Sequence, residues 1–331
     1  MNKLSVALCT YNGARFLKEQ ICSILEQTYP VDEIVVCDDG SSDETILIIE
    51  RIKERSPIEI RIYRNETNLG VCANFQKAIR LCSGDIVFLS DQDDVWYPNK
   101  TKTIVDWFDS HPNKSVVFTD GNLIDGEGRA YLGRNGQKRL WDYFFVPIDK
   151  LMFEKGLELE CMMHPHATGA TMAIKKAFLD DNPFAQYCDN FNVFHDFIIS
   201  IKAVELGRLG YIDDSLISYR VYEDQQVGVD KRAATENTME GERTDWREAY
   251  YPYDFVYKLL QDPLYKERIG FLNWRIWTKH RLYGPLVIAR TWKKYKKYYG
   301  KNYCSIMIYD ARASMSHSFK RLKNRIIHPF L

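Results

Sequence analysis

Three carboxylates, Asp91, Asp93 and Asp94, follow closely on the apolar run Ile86-Val87-Phe88-Leu89. Such a run reads as a buried strand. Like charges this close repel and raise one another's pKa, so a strand gains no stability by ending in them. A divalent cation removes the repulsion. Hard cations take oxygen ligands, and Mg²⁺ commonly uses one or two carboxylates and completes its shell with substrate phosphates. Two readings follow: a metal–diphosphate site at a strand end, or a solvated acidic turn. Asp39 closes another apolar run, and its carboxylate can accept the N3–H of a uracil or thymine ring, with Tyr11 as a stacking face. Asp196 can take a proton from a hydroxyl nucleophile as general base, or simply cap the helix that it opens.

These residues need a scaffold to bring them together. Strands are predicted over Leu4–Cys9, Glu33–Cys37, Ile58–Tyr63, Ile86–Leu89, Val116–Thr119 and Leu216–Tyr219, with another running from Thr168 through Ile174. Helical spacing joins Leu17, Ile21, Ile24 and Leu25, then Ile46, Ile49 and Ile52 behind a Ser41 or Ser42 cap, then Phe75, Ala78, Ile79 and Cys82. Two more helices are expected, from Pro98 to His111 and from Asp196 to Gly207, with Phe197, Ile201 and Val204 on one face of the second. Alternation at this pace gives a mainly parallel α/β sheet with helices on both faces. Ligands of such sheets bind beyond the carboxyl ends of the strands. Thr10, Tyr11 and Asn12, Asp38 and Asp39, and Asp91 to Asp94 are therefore expected on one rim, which favours the site over the acidic turn.

The chain has 331 residues, 45% hydrophobic and 27% charged, the profile of a soluble globular protein with one large domain or a domain plus an appendage. A net charge of zero hides an asymmetry: from Phe271 to Leu331 there are 14 Lys and Arg against one acid, Asp310, so this segment carries +13 and residues 1–270 carry −13. Eight cysteines without a Cys-x-x-Cys pair argue against zinc and for reduced thiols. No signal-like segment opens the chain and no apolar run reaches the ~18 residues of a membrane span. A cytoplasmic protein is expected. The polar stretch 231–247 reads as a linker, dividing a domain over 1–230 from a helical, basic and aromatic region over 231–331. Trp274, Trp277, Trp292 and Tyr295 interleave there with Arg275, Lys279, Arg290 and Lys293. That pattern suits contact with an anionic membrane surface, packing on the acidic domain, or nucleic acid, for which no recognition module is present. The aromatic patch Trp141, Tyr143, Phe144 and Phe145 reads as packing rather than as an acceptor platform.

Three stretches together resemble a known family: Ser5-Val6-Ala7-Leu8-Cys9-Thr10-Tyr11-Asn12-Gly13, Cys37-Asp38-Asp39-Gly40-Ser41-Ser42-Asp43 and Leu89-Ser90-Asp91-Gln92-Asp93-Asp94-Val95-Trp96. They look like the family 2 glycosyltransferases of the GT-A fold, and among these the bacterial rhamnosyltransferase-like enzymes of surface polysaccharide synthesis. Thr168-Gly169, His195-Asp196, Tyr219-Arg220 and Gln226-Val227-Gly228 extend the match over about residues 3–228. The resemblance implies metal-dependent inverting transfer, with Mg²⁺ or Mn²⁺, from a dTDP- or UDP-sugar (rhamnose or another hexose) to a glycan or lipid-linked acceptor, with the tail as a candidate contact to the inner membrane face. It implies Thr10, Tyr11, Asn12 and Asp39 at the nucleotide, Asp91 and Asp93 at the metal and diphosphate, and Asp196 as general base. Asp94 is left to second-shell or donor-sugar contacts, and Arg220 to the diphosphate or a structural ion pair. A sugar-nucleotidyltransferase would use a similar crevice, but the Gly-rich, basic loop that chemistry wants is missing after the first strand. A non-catalytic nucleotide-sugar-binding scaffold would not need Asp91, Asp93 and Asp196 together. The chain departs from its relatives at Tyr222 and Gln225, where a His and an Asn are common; His164 and His166 are candidate substitutes.

Overall fold

Continuous apolar runs become buried strands wherever both faces of a sheet are covered, and the first 130 residues follow that rule. The computed structural model describes residues 2–133, 136–143, 167–181, 194–223 and 225. Strands β1 (Leu4–Thr10), β2 (Glu33–Asp38), β3 (Glu59–Arg64) and β4 (Ile86–Ser90) alternate with helices α1 (Leu17–Leu25), α2 (Thr45–Lys53) and α3 (Val71–Leu81). After β4 come the short β5 (Val95–Trp96), α4 (Lys100–Ser110), β6 (Val116–Ile124) and a hairpin of β7 (Leu132–Gly133) and β8 (Gly136–Gln137). The one-turn α5 (Leu140–Tyr143), a 3₁₀ turn (Gly169–Thr171), β9 (Ala173–Lys175), α6 (Lys176–Asp181), α7 (His195–Glu205) and β10 (Leu209–Arg220) complete the described elements.

One eight-stranded sheet runs in the order β3-β2-β1-β4-β9-β6-β10-β5. Its first four strands are parallel, as the βαβ alternation predicts, and β6 pairs parallel to β10. The exceptions are β9, antiparallel to both β4 and β6, and β5, antiparallel to β10. The expected strand from Thr168 is shorter than predicted, because Gly169–Thr171 coils into the 3₁₀ turn and pairing starts only at Ala173. In the other direction, β10 begins at Leu209 rather than Leu216. The exposed pair Asp213 and Asp214 hides its start, and register shifts between Ile212 and Ser218 absorb them. The helix cap also differs: Ser41 and Ser42 do not cap α2, whose boundary residue is Glu44. Ser41 Oγ instead donates to Asp38.

Trp141 packs against Phe118 and Tyr211, which bears out its packing role; Phe144 and Phe145 lie outside the described residues. So do the linker, the basic C-terminal region, His164 and His166. Among the described residues no helix is long and apolar enough to cross a membrane.

At the opposite end of the sheet from the carboxyl rim, buried Glu33 fastens three segments. Its Oε1 accepts Ser5 Oγ at 2.6 Å, Ser83 N at 2.6 Å and Ser83 Oγ at 2.8 Å, while Arg61 pairs with Oε2. Burial alone would raise this carboxyl, but the hydrogen bonds outweigh it and hold the pKa at about 2. A depressed carboxyl stabilises the fold above its unfolded pKa, and that contribution vanishes as pH falls through the folded value. Glu33→Gln is therefore expected to cost ~1–2 kcal/mol at pH 7 after allowance for solvent screening. Urea denaturation from pH 5 down to pH 2 should show wild-type stability converging on that of the variant; a constant gap would remove this linkage.

Candidate functional site

The parallel registers set the site. Thr10 pairs with Asp38, and Leu8 with Ser90, so the chain leaves β2, β1 and β4 side by side at their carboxyl ends. Asp39 and Asp91 follow from the two strands that flank β1, roughly 10 Å apart at ~4.8 Å per strand spacing. Between them lies Cys9, whose thiol is pushed well up, first by burial and then by Cys37, Asp91 and Asp39.

Asp39 is a buried, oriented acceptor. Its Oδ1 takes Asn65 Nδ2 and Leu69 N, both at 2.7 Å, and its Oδ2 takes Gly70 N at 2.9 Å. A carboxylate has about four acceptor positions, so one remains on Oδ2. Asn65 is itself aimed by Lys77 Nζ, 2.6 Å from its Oδ1. The neighbouring Asp38 is a fastener: it accepts Thr10 Oγ1 at 2.9 Å and Ser41 N at 2.9 Å, which commits the Thr10 hydroxyl to the protein. Asn12 has φ +49° and accepts Ser42 N at 2.8 Å, so it ties the first loop to the second.

Sequence reasoning passed over Gln92, which welds the acidic loop to the first loop. Its Oε1 accepts Tyr11 N at 2.8 Å and its Nε2 donates to Tyr11 O at 3.0 Å. Gly13 lets it approach: a Cβ there would sit 2.2 Å from Gln92 Oε1. The signal was available as a polar side chain between metal-type carboxylates, but its partner is 81 residues away.

Within the cluster the three acids differ. Asp94 is buried; its Oδ1 accepts Arg220 N at 3.0 Å while its Oδ2 has no hydrogen-bond partner among the described residues, and burial, then Asp93 and Asp91, push its pKa well up. Asp93 Oδ2 accepts the Tyr222 hydroxyl at 2.8 Å, so the residue standing where relatives often have His holds this carboxylate. Asp91 accepts no side-chain hydrogen bond among the described residues. Its pKa rises to about 7, through burial first and then Asp93, with Asp196 adding to the rise and His195 opposing it.

Arg220 is buried and donates from each of its three nitrogens to protein groups: Nε to Asp93 O at 2.7 Å, one amino group to Asp125 O at 3.2 Å, the other to Glu19 at 2.6 Å. Of its two readings, the structural ion pair is the one these contacts describe.

Asp196 lies in the first turn of α7, with Oδ1 on Phe197 N at 2.7 Å and Oδ2 on Gly169 N at 3.0 Å. One backbone donor per oxygen leaves acceptor capacity on each. Its neighbour His195 stacks on Phe75 of α3 at 4.2 Å, joining this end of the site to the helix that follows the Leu69 and Gly70 donors of Asp39.

The donor set at the acidic loop is all oxygen, with one orphaned buried atom and mutual repulsion, and it fits a hard divalent cation. Among the described residues no three His, Cys, Asp or Glu side chains converge as a metal-holding group. A separate hollow lined by Ile46, Glu50, Lys53, Ile62 and Arg64 lies along α2 and β3 and holds none of the acids of the acidic loop.

Comparison with known proteins points the same way. The family model for glycosyl transferase family 2 matches residues 5–178. An uncharacterized glycosyltransferase of Nostoc sp. is 38% identical over 129 residues, 39% of each chain, so this chain spans about two fifths of that relative. The dTDP-rhamnosyl transferase RfbG of Shigella flexneri is 29% identical over 232 residues, covering 67% of this chain and 73% of that protein. Among solved structures, a mannosyltransferase of Pyrobaculum calidifontis in complex with GDP-Man and Mn²⁺ superposes with a TM-score of 0.53 at 19% identity, covering 97% of this chain and 87% of that one; at such identity it speaks for the fold.

The raised Asp91 pKa has a sign that can be tested. An unfolded aspartate ionises near pH 3.9. Between about pH 4 and pH 7 the unfolded chain therefore holds fewer protons than the folded one, and stability falls as pH rises. In EDTA, Asp91→Asn should be more stable than wild type at pH 7.5 by ~1–3 kcal/mol after allowance for solvent screening, and nearly equal to it at pH 4. Coincident melting curves at pH 7.5 would show that the crowded carboxylates cost the fold nothing.

Proposed function

The chain belongs to glycosyl transferase family 2 and has the GT-A fold, and from that premise we propose that it moves a sugar, with inversion, from a dTDP- or UDP-sugar to a hydroxyl of a growing bacterial surface glycan. The observation that carries this reading is the gathering of Asp39, Asp91, Asp93 and Asp196 at one sheet rim, each with a distinct environment. Rhamnose is the first donor sugar to test, because the relative with the longer match is a dTDP-rhamnosyl transferase.

The spare acceptor position of Asp39 Oδ2 suits a single ring N–H of uracil or thymine, with Tyr11 stacking and Thr10 and Asn12 shaping the loop. Asp91 and Asp93 would hold Mg²⁺ or Mn²⁺, Asp93 with one oxygen already fixed by Tyr222. When bound, the cation supplies Lewis-acid stabilisation to the leaving diphosphate. Asp94 anchors the end of β10 behind them through the Arg220 amide. Asp196 takes the proton of the acceptor hydroxyl as that oxygen attacks the anomeric carbon from the face opposite the diphosphate. The catalytic domain is assigned to 1–230. The basic, aromatic region 231–331 is assigned to an anionic membrane surface, where lipid-linked acceptors sit.

Asp196→Asn should lower donor turnover by roughly 10²–10⁴-fold while UDP still binds in the presence of Mn²⁺; near-normal turnover would take Asp196 out of the mechanism. Asp93→Ala should instead weaken UDP binding about tenfold or more in Mn²⁺, measured by calorimetry, with little change in EDTA. Equal weakening in both buffers would reject the metal assignment. In flotation with vesicles containing phosphatidylserine, full-length protein should rise with the lipid and a truncation near residue 230 should not. Loss of flotation at high salt is expected as well.

A further inference from the structure

Lys100 sits in a position that works against its own helix. It is the first residue of α4, where a positive charge opposes the helix dipole, and its side chain is wholly buried. A buried ammonium needs a partner and a reason. Its surroundings supply the partner: Nζ donates to the Ala170 carbonyl at 2.9 Å and lies 4.2 Å from the centroid of the Trp96 ring. Burial pushes its pKa down to about 7, against the opposing pull of Asp94 and Asp91.

The reason lies in what Ala170 belongs to. Ala170 is the middle of the Gly169–Thr171 turn, which is closed by Thr171 N on Thr168 O at 2.9 Å and Met172 N on Gly169 O at 2.9 Å. The Gly169 amide of this turn donates to Asp196 Oδ2 at 3.0 Å. The turn also abuts the start of α7: a Cβ on Gly169 would come within 2.9 Å of His195 Nε2 and 3.6 Å of Asp196 Cβ. A displacement of the turn by a few tenths of an ångström therefore reaches the Asp196 carboxylate directly.

We infer that Lys100 is a positioning residue for Asp196, acting through the Ala170 carbonyl and the Gly169 amide rather than by touching donor or acceptor. The inference rests on the reading of Asp196 as the base, and it assigns a role to a side chain that the acidic motif does not include. Through the Trp96 ring, the same side chain also lies against the short strand that follows the acidic loop.

Lys100→Met removes the charge and the donor but keeps the length. In the full chain, hydrogen exchange at the Gly169 and Thr171 amides should accelerate about tenfold or more, and nucleotide release from dTDP-rhamnose or UDP-N-acetylglucosamine should fall at least tenfold in kcat with KM nearly unchanged. UDP affinity in Mn²⁺ should stay within about threefold. Unchanged exchange at the turn, or a loss confined to KM, overturns the inference. If Lys100→Met does not fold, Gly169→Ala tests the same link from the other side: kcat should fall while UDP binding persists, and a normal kcat overturns the inference. The underlying reading fails separately, through an active Asp196→Asn enzyme, whatever Lys100 does.

Discussion

Crowded negative charge held out of water is the constraint on which the site depends. Asp91, Asp93 and Asp94 sit within four residues at the end of a fully buried strand, and the surrounding protein supplies only partial relief. Arg220 touches the cluster through its backbone amide and through a main-chain oxygen, with its charge already balanced by Glu19. Lys100 adds a buried amino group whose pKa burial pushes down to about 7 against the pull of Asp94 and Asp91. An excess of this kind costs a fold stability while nothing neutralises it, and under the proposed function it is what would draw a divalent cation to the loop.

Everything else at the rim serves to keep that cluster in register with its neighbours. The parallel pairing of β2, β1 and β4 delivers three loops to one edge, and short polar fasteners lock each loop to the next. Asp38 closes the loop after β2, Asn12 joins it to the loop after β1, and Gln92 joins that loop to the acidic one. Glu33 performs a comparable task at the far end of the same strands. None of these side chains needs to touch a substrate to matter, since each satisfies backbone donors of a neighbouring loop and fixes its path.

Strand and helix order up to α4 was legible in the sequence because apolar runs, helical spacing and turn residues agree there. Asp39, Asp91, Asp93 and Asp196 were legible as candidates because carboxylates at strand and helix ends are chemically conspicuous. Gln92 and Lys100 were not, since their importance lies in partners 81 and 70 residues away. The antiparallel direction of β9, which was expected only as part of a longer strand from Thr168, and the existence of β5 escaped notice for a related reason. A strand of three residues such as β9 carries no periodicity of its own, and its place between β4 and β6 is decided by what surrounds it. Arg220 illustrates the converse: a guanidinium near a diphosphate motif invites an anion-binding role, while the fold spends it on Glu19 and two carbonyls.

The bidentate grip of Gln92 on Tyr11 makes the first and third loops one piece. Under the proposed function, the gap between the ring end and the phosphate end is then fixed before anything arrives. Such a caliper would admit molecules by length: a nucleoside with two phosphates would reach from one jaw to the other, a nucleoside alone would fall short, and a third phosphate would have to project beyond the acidic jaw.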